Sequence, residues 1–189
     1  MRIIAGSSKG KTLFSPPDTT RPTSDRAREG LFSSLDSTFG GMEGIAFLDL
    51  FAGSGAVGVE ALSRGAAHVV AVENHEATAK ITTKNFELVS QAQGIFSVVH
   101  APVSRYVSVP HDQGFDIIFM DPPYEIPNEE IESLLLSIHI NGLLAENGLI
   151  AIERRTKKSP FTWPAPFMLE KVRSYGQGSI FYGGASASV

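Results

Sequence analysis

The chain has 189 residues, of which 42% are hydrophobic and 19% are charged, with a net charge of −4. This size and balance fit one globular domain with a full hydrophobic core. The chain contains no cysteine, which excludes disulfides, thiolate metal sites and a cysteine nucleophile. No apolar run approaches the roughly 18 residues of a membrane-spanning helix, and residues 1–6 lack the apolar segment of a signal peptide. We therefore expect a cytoplasmic protein without a membrane partner.

The charges are segregated along the chain. Residues 1–30 carry six basic and three acidic side chains, and residues 154–189 carry six basic and one acidic. The stretch between them, 31–153, carries four basic and sixteen acidic side chains. Basic segments at both ends of an otherwise acidic chain are typical of a protein that binds a polyanion. Solvated surface charge is the alternative interpretation.

The first 36 residues form a separate N-terminal extension. Residues 2–4 and 11–14 flank a Gly- and Ser-rich turn, and they predict a small hairpin. Ser15-Pro16-Pro17-Asp18 then interrupts the chain, and a helix is predicted over residues 25–35.

Short apolar runs alternate with helical patterns from residue 37 to 184. Predicted strands lie at 45–50, 68–73, 95–99, 115–120 and 149–153, and predicted helices at 56–64, 75–88 and 128–138. Two late runs, 167–173 and 179–182, predict a hairpin that closes the sheet. The alternation predicts an α/β, Rossmann-like, doubly wound fold whose seven-stranded sheet is mostly parallel, with an antiparallel closing strand. Residues 185–189 are expected to be a frayed tail.

A glycine-rich segment, residues 49–58, follows the first predicted strand. It contains the pattern G-x-G-x-x-G, so a nicotinamide dinucleotide must be considered. However, Asp49 precedes the glycines, where its charge would face a pyrophosphate. A carboxylate suits S-adenosylmethionine better, because that cofactor has an ammonium group and no phosphate. Glu73 ends the second strand, where a carboxylate can accept hydrogen bonds from ribose hydroxyls. The other predicted cofactor contacts here are Phe51, Ala52, Gly53, Ser54, Gly55 and Asn74.

The fourth strand ends in Asp121-Pro122-Pro123-Tyr124. Two prolines end sheet pairing abruptly and leave carbonyl oxygens without a partner in the sheet. Together with a carboxylate and an aromatic ring, those carbonyls can accept hydrogen bonds from a planar exocyclic amine. In a doubly wound sheet, the first and fourth strands are neighbours and ligands bind at their carboxyl ends. The sequence therefore predicts an amine-acceptor site beside the cofactor loop.

Through these two motifs the chain resembles class I S-adenosylmethionine-dependent methyltransferases that modify exocyclic amines. More narrowly it resembles the RsmD family, which makes N2-methylguanine in small-subunit (16S) ribosomal RNA. This narrower resemblance rests on residues 1–11, on Thr20-Arg21-Pro22-Thr23-Ser24-Asp25-Arg26-Ala27-Arg28-Glu29 and on Tyr175-Gly176. The family tends to have Asp or Asn after the third strand to contact adenine. Pro102 stands there in this chain, so we expect the Val103 N–H to make that contact.

The resemblance implies a mechanism and an RNA-binding surface. The Asp121 carboxylate and Pro122 carbonyl would accept the two N2 protons of guanine, and Tyr124 would stack on a base taken out of its helix. The residues expected to bind ribosomal RNA phosphates are Arg2, Lys9, Lys11, Arg21, Arg26, Arg28, Arg154 and Arg155. Arg21 and Arg28 have an alternative role, bracing the N-terminal helix against the core.

Other interpretations remain at this stage. They are an RNA-binding or ribosome-assembly protein with a vestigial cofactor pocket, and a methyltransferase of DNA adenine or protein glutamine. The five histidines show no ligand spacing, so no metal site is predicted, and we expect a monomer.

Overall fold

A computed structural model describes residues 1–16, 25–89, 93–155, 161–176 and 178–185. The strands are β1 Ala46–Leu50, β2 His68–Glu73, β3 Ile95–His100, β4 Phe115–Met120, β5 Leu144–Arg154, β6 Phe167–Tyr175 and β7 Gly178–Ala185. The helices are α1 Asp25–Phe39, α2 Ala56–Ser63, α3 Glu76–Glu87, α4 Val103–Val107 and α5 Asn128–Ile140.

The seven strands form one sheet in the order β3-β2-β1-β4-β5-β7-β6. β1 pairs in parallel with both β2 and β4, and β5 continues the parallel part of the sheet. β7 is antiparallel to β5 and β6, which lie on either side of it. The predicted fold class is confirmed, including the neighbouring positions of β1 and β4. β2 and β3 lie on one side of β1, whereas β4 and β5 lie on its other side, so the strand order reverses between β1 and β4. The carboxyl ends of these two parallel strands therefore form the topological switch point.

Several predicted boundaries were wrong. Helix α1 runs four residues beyond the predicted end at 35, and Gly40 follows it with a φ of 77°. β5 begins at Leu144 rather than 149, with a register irregularity opposite the start of β4. The short helix α4 was not predicted. β7 reaches Ala185, the first residue of the expected tail, and residues 186–189 lie outside the described part of the chain.

Helices cover both faces of the sheet, and each face has its own apolar core. One core contains Leu31, Phe32 and Leu35 of α1, packed with side chains of α2 and α3. The rings of Phe32 and Phe47 stack with their centroids 6.3 Å apart. The other core packs α4 and α5 against the opposite face. Burial on both faces explains why the central strands are apolar throughout rather than alternating.

The predicted N-terminal hairpin is confirmed as a short antiparallel bridge between Arg2 and Thr12. Glu60 of α2 is fully buried beneath it. The two carboxylate oxygens of Glu60 accept hydrogen bonds from the backbone N–H groups of Ile4 at 2.7 Å and Ala5 at 2.9 Å. The extension is therefore fixed to the helix that follows the glycine-rich loop.

Among the helices of the described residues, none is long and apolar enough to span a membrane.

Candidate active site

The loop between β1 and α2 turns tightly at two glycines. Gly53 and Gly55 have φ values of 55° and 75°, a region that residues with a Cβ rarely adopt. A Cβ on Gly55 would lie 2.6 Å from a methyl carbon of Thr82. The Thr82 hydroxyl donates to the Gly53 carbonyl at 2.6 Å, and the Asn85 amide donates to the Ser54 carbonyl at 2.8 Å. Side chains of helix α3 therefore fix the conformation of this loop.

Asp49 lies at the base of the loop and is 2% exposed. Its carboxylate accepts a hydrogen bond from the Gly58 N–H at 2.9 Å. Burial raises the pKa of Asp49 to about 7, the Gly58 hydrogen bond opposes this, and the charges of Asp121 and Glu73 add to the rise. Among the described residues, no Lys or Arg lines the cavity beside this carboxylate, which favours a cationic ligand.

Glu73 at the end of β2 braces the same loop. One carboxylate oxygen accepts from the Gly53 N–H and the other from the His75 N–H, each at 2.8 Å. Carboxylate oxygens have further lone pairs, so the side chain can still accept hydrogen bonds from a ligand.

The loop after β4, residues 121–126, is held in place by Arg154. This guanidinium donates hydrogen bonds to the carbonyls of Pro123 at 3.1 Å, Tyr124 at 3.4 Å and Ile126 at 3.1 Å. The Tyr124 ring is 45% exposed. The Arg155 guanidinium lies 5.9 Å from its centroid. A buried cation therefore sets the loop backbone, while the aromatic ring stays accessible.

These elements surround one cavity of about 840 Å³, within the size range of small-molecule sites. Every predicted catalytic and cofactor-binding residue lines it except Gly55, the residue directly before α2. Pro102 and Val103, at the start of α4, also line the cavity.

The lining chemistry discriminates between the two cofactors considered from the sequence. Among the described residues that line the cavity, six are Asp or Glu and none is Lys or Arg. A pyrophosphate would be repelled by this set, whereas the ammonium and sulfonium groups of S-adenosylmethionine would be attracted. The residues present fit S-adenosylmethionine and disfavour a nicotinamide dinucleotide. No cluster of possible metal ligands occurs in the described ranges.

The structure divides the predicted phosphate-binding residues into two groups. Arg2, Lys9, Lys11, Arg26 and Arg155 are exposed, although the Lys11 ammonium donates to the Leu88 carbonyl at 2.6 Å. Arg21 lies outside the described residues.

Arg28 and Arg154 correct the prediction, because they are 0% and 7% exposed. The Arg28 guanidinium donates to the Arg2 carbonyl at 2.6 Å and to Asp25 at 3.0 Å. It therefore braces α1 and the extension, the alternative considered from the sequence, and Arg154 orders the loop after β4. Neither side chain is available to an RNA phosphate.

Several residues that shape the site were not predicted from the sequence. Thr82 and Asn85 lie one turn apart on α3, where their spacing resembles that of any helix surface. Glu153 and Tyr175 also line the cavity. The sequence did contain a signal for Glu153, because an acidic residue follows the apolar run of β5 just as Asp49 follows the apolar residues of β1.

The fold and the site together define an S-adenosylmethionine-dependent methyltransferase of class I, and hence an enzyme. The family model described as "Conserved hypothetical protein 95" matches residues 1–183. Ribosomal RNA small subunit methyltransferase D of Escherichia coli is 34% identical over 181 residues, which cover 94% of this chain and 86% of that protein. The chain belongs to this family, the RsmD family.

Two further comparisons agree with this assignment. YlbH of Bacillus subtilis is 38% identical over 157 residues, covering 81% of this chain and 82% of that protein. The solved structure of YhhF from Escherichia coli superposes with a TM-score of 0.85 at 31% identity, covering 100% of this chain and 99% of the other.

Proposed function

We propose that this enzyme transfers a methyl group from S-adenosylmethionine to the exocyclic N2 amine of a guanine in small-subunit ribosomal RNA. The observation that carries the proposal is the shared cavity of the Asp49 loop and residues 121–124. The residues that would hold the cofactor and those that would accept the amine therefore line the same cavity. The substrate class follows from family membership, since the Escherichia coli relative is named for methylation of small-subunit ribosomal RNA.

S-adenosylmethionine supplies a sulfonium methyl group that is open to attack by a nucleophile. Asp49 would hold the ammonium group of the cofactor, and Glu73 would accept hydrogen bonds from its ribose hydroxyls. Phe51, Ala52, Gly53 and the neighbouring loop residues would form its backbone cradle. Val103 lines the cavity directly after Pro102, and its N–H would contact the adenine.

The guanine N2 lone pair is delocalised into the ring, which makes the amine a poor nucleophile. The Asp121 carboxylate and the Pro122 carbonyl would accept the two N2 protons and draw the nitrogen toward tetrahedral geometry as positive charge develops. This stabilisation grows toward the transition state, so it raises the rate of transfer rather than only the affinity.

Arg154 makes this geometry possible by occupying other acceptors of the same loop. It binds the carbonyls of Pro123, Tyr124 and Ile126. Within the described residues no hydrogen bond reaches the Pro122 carbonyl, which leaves that oxygen for the substrate. Pro123 stiffens the loop, and the Tyr124 ring would stack on the target base, a contact of about 1–3 kcal/mol.

The RNA would also contact the exposed basic residues of the extension, Arg2, Lys9, Lys11 and Arg26, and Arg155 beside Tyr124. The anchoring of the extension by Glu60 would keep these charges fixed relative to the cavity. Such a substrate implies a cytoplasmic enzyme, and the small number of basic contacts suggests that an assembled subunit or assembly intermediate provides part of the docking surface. We expect the enzyme to act as a monomer.

The identity of the substrate is tested by incubating the protein with methyl-labelled S-adenosylmethionine and either small ribosomal subunits, free ribosomal RNA, DNA or total protein. Digested products are then identified by mass. We expect label in N2-methylguanosine from subunits or their RNA. Label in N6-methyladenine of DNA or in methylglutamine would replace the proposal by the corresponding alternative. Tight cofactor binding without transfer to any substrate would favour the nonenzymatic assembly role.

The RNA surface is tested by charge reversal. The triple variant Arg2→Glu, Lys9→Glu, Arg26→Glu should weaken RNA binding and reduce the slope of log K against log salt by about one unit per lost phosphate contact. A variant with the same charge change, Lys80→Glu, Lys84→Glu, Arg105→Glu, is the matched control, because these exposed residues lie in the acidic middle of the chain. Equal slopes for both variants would remove the extension from the RNA interface.

A further inference from the structure

We propose that Glu153 determines specificity by accepting the N1–H of the target guanine, and that it thereby excludes bases whose N1 carries no proton. The inference rests on the proposed function, because it concerns the base whose N2 amine lies at Asp121.

The sheet register places Glu153 beside Asp121. Met120 of β4 pairs with Ile152 of β5 in parallel register, so the next residue of each strand is Asp121 and Glu153. Neighbouring strands lie about 4.8 Å apart, and both side chains line the same cavity. The two carboxylates are therefore placed to contact adjacent hydrogen-bond donors along one edge of a planar base.

Glu153 lines the cavity together with residues of the N-terminal extension, α1 and the β6–β7 hairpin. These residues include Met1, Ala27 of α1, Tyr175 at the end of β6 and Gly178 at the start of β7. A Cβ on Gly178 would lie 3.1 Å from a carboxylate oxygen of Glu153, so a glycine there keeps the space around this group open. Apolar and aromatic lining residues together with a carboxylate suit a planar heterocycle that presents an N–H.

Glu153 is 8% exposed and lies on the cavity side of the central sheet. A carboxylate has several lone pairs, so this side chain can accept a hydrogen bond from a ligand in addition to its contacts within the protein. β5 is the direct neighbour of β4, the strand that leads into Asp121, whereas β4 lies between β5 and β1, the strand that leads into the Asp49 loop. Its position therefore serves the substrate part of the cavity rather than the cofactor part.

The chemistry of the base edge supplies the discrimination. Guanine presents N1–H and the N2 amine as adjacent donors, which match two acceptor carboxylates. Adenine and 2-aminopurine have an unprotonated N1, whose lone pair would face the Glu153 carboxylate without a proton between them. Sites built around one hydrogen bond reject analogues that lack the partner, because a buried polar group would be left unpaired.

The test compares guanine with 2-aminopurine, which keeps the N2 amine but lacks the N1 proton. The methylated position is first located by mass mapping, and small-subunit RNA carrying either base there is prepared by ligation and assembled into subunits. We expect the wild type to prefer guanine at least 100-fold in kcat/KM. Glu153→Gln should lower kcat/KM for guanine by 10- to 100-fold and reduce the preference at least tenfold, because an amide N–H can donate to N1 of 2-aminopurine.

2-Aminopurine also lacks O6, and this difference affects the wild type and Glu153→Gln alike. It therefore cancels when the guanine preferences of the two enzymes are compared. Calorimetry with S-adenosylmethionine should give equal affinities for the wild type and Glu153→Gln, and Glu153→Asp should keep the guanine preference. If the wild type methylates guanine and Glu153→Gln keeps the same preference for guanine, the proposed role of Glu153 is wrong while the proposed function stands. Absence of guanine methylation by the wild type would instead overturn the proposed function.

Discussion

The anchoring of the N-terminal extension depends on one buried carboxylate, that of Glu60. The substitution Glu60→Gln preserves shape and volume, so it creates no cavity. A glutamine has one acceptor oxygen where the carboxylate has two, and its NH2 group would face a donor. The donors at stake are the N–H groups of Ile4 and Ala5 and the Arg64 Nε, which lies 2.8 Å from the carboxylate.

The expected loss of stability can be estimated from these contacts. Hydrogen bonds to charged groups each contribute about 1.5–3 kcal/mol. Neutralising Glu60 also leaves the buried Arg28, whose Nε lies 3.9 Å from the carboxylate, with less compensating charge. Breaking a buried ion pair from one side costs about 3–5 kcal/mol, and we expect a loss in that range.

Urea denaturation measures this effect. With a slope of about 2 kcal/mol/M, the midpoint of unfolding should fall by about 2 M. Glu29→Gln on the exposed face of α1 is the control, and it should change stability by about 0.5 kcal/mol or less. A Glu60→Gln loss no larger than that of Glu29→Gln would refute the claim that this carboxylate holds the extension.

Three further outcomes are expected. Because the pKa of Asp49 is raised to about 7, its protonated form stabilises the ligand-free fold below that pH, and the free energy of unfolding should fall as pH rises from about 5 to 8. Cofactor affinity, measured by calorimetry, should rise over the same pH range. The variant Asp49→Asn should show a flatter pH profile in both measurements. Gly55→Ala should weaken cofactor binding and should destabilise the protein more than Gly40→Ala does. Both glycines have positive φ, but only Gly55 has a close neighbour. An equal decrease of the melting temperature in the two variants would contradict this. Arg154→Lys should lower the rate of methyl transfer about 10- to 100-fold at unchanged cofactor affinity, since one ammonium cannot hold three carbonyls. An unchanged transfer rate would show that the hydrogen bonds from Arg154 to the loop are dispensable.

The sequence was sufficient for the parts of the site that follow from parallel-sheet geometry. Asp49, Glu73 and Asp121 each follow an apolar run, and the carboxyl ends of parallel strands meet at one edge of the sheet. Their convergence on one cavity could therefore be predicted without coordinates. The glycine pattern alone did not choose the cofactor, but the acidic lining of the cavity does.

The predictions that were wrong or missing concern features that depend on tertiary burial. Arg28 and Arg154 carry the same charge as their exposed neighbours, and nothing local distinguishes a buried brace from a phosphate ligand. Helix α4 has five residues, too few to show a periodic pattern. The contact of Glu60 with Ala5 joins residues 55 positions apart, which no short-range signal reveals.

The central claim is that the Asp121 carboxylate activates the substrate amine beside a bound cofactor. Single-turnover methyl transfer to small-subunit RNA, at saturating S-adenosylmethionine, tests it most directly when Asp121→Ala is compared with the wild type. We expect the transfer rate to fall by at least about 1,000-fold, of the order that one preorganised transition-state contact supplies, and cofactor affinity measured by calorimetry to be nearly unchanged. Transfer by Asp121→Ala at close to the wild-type rate would contradict the account.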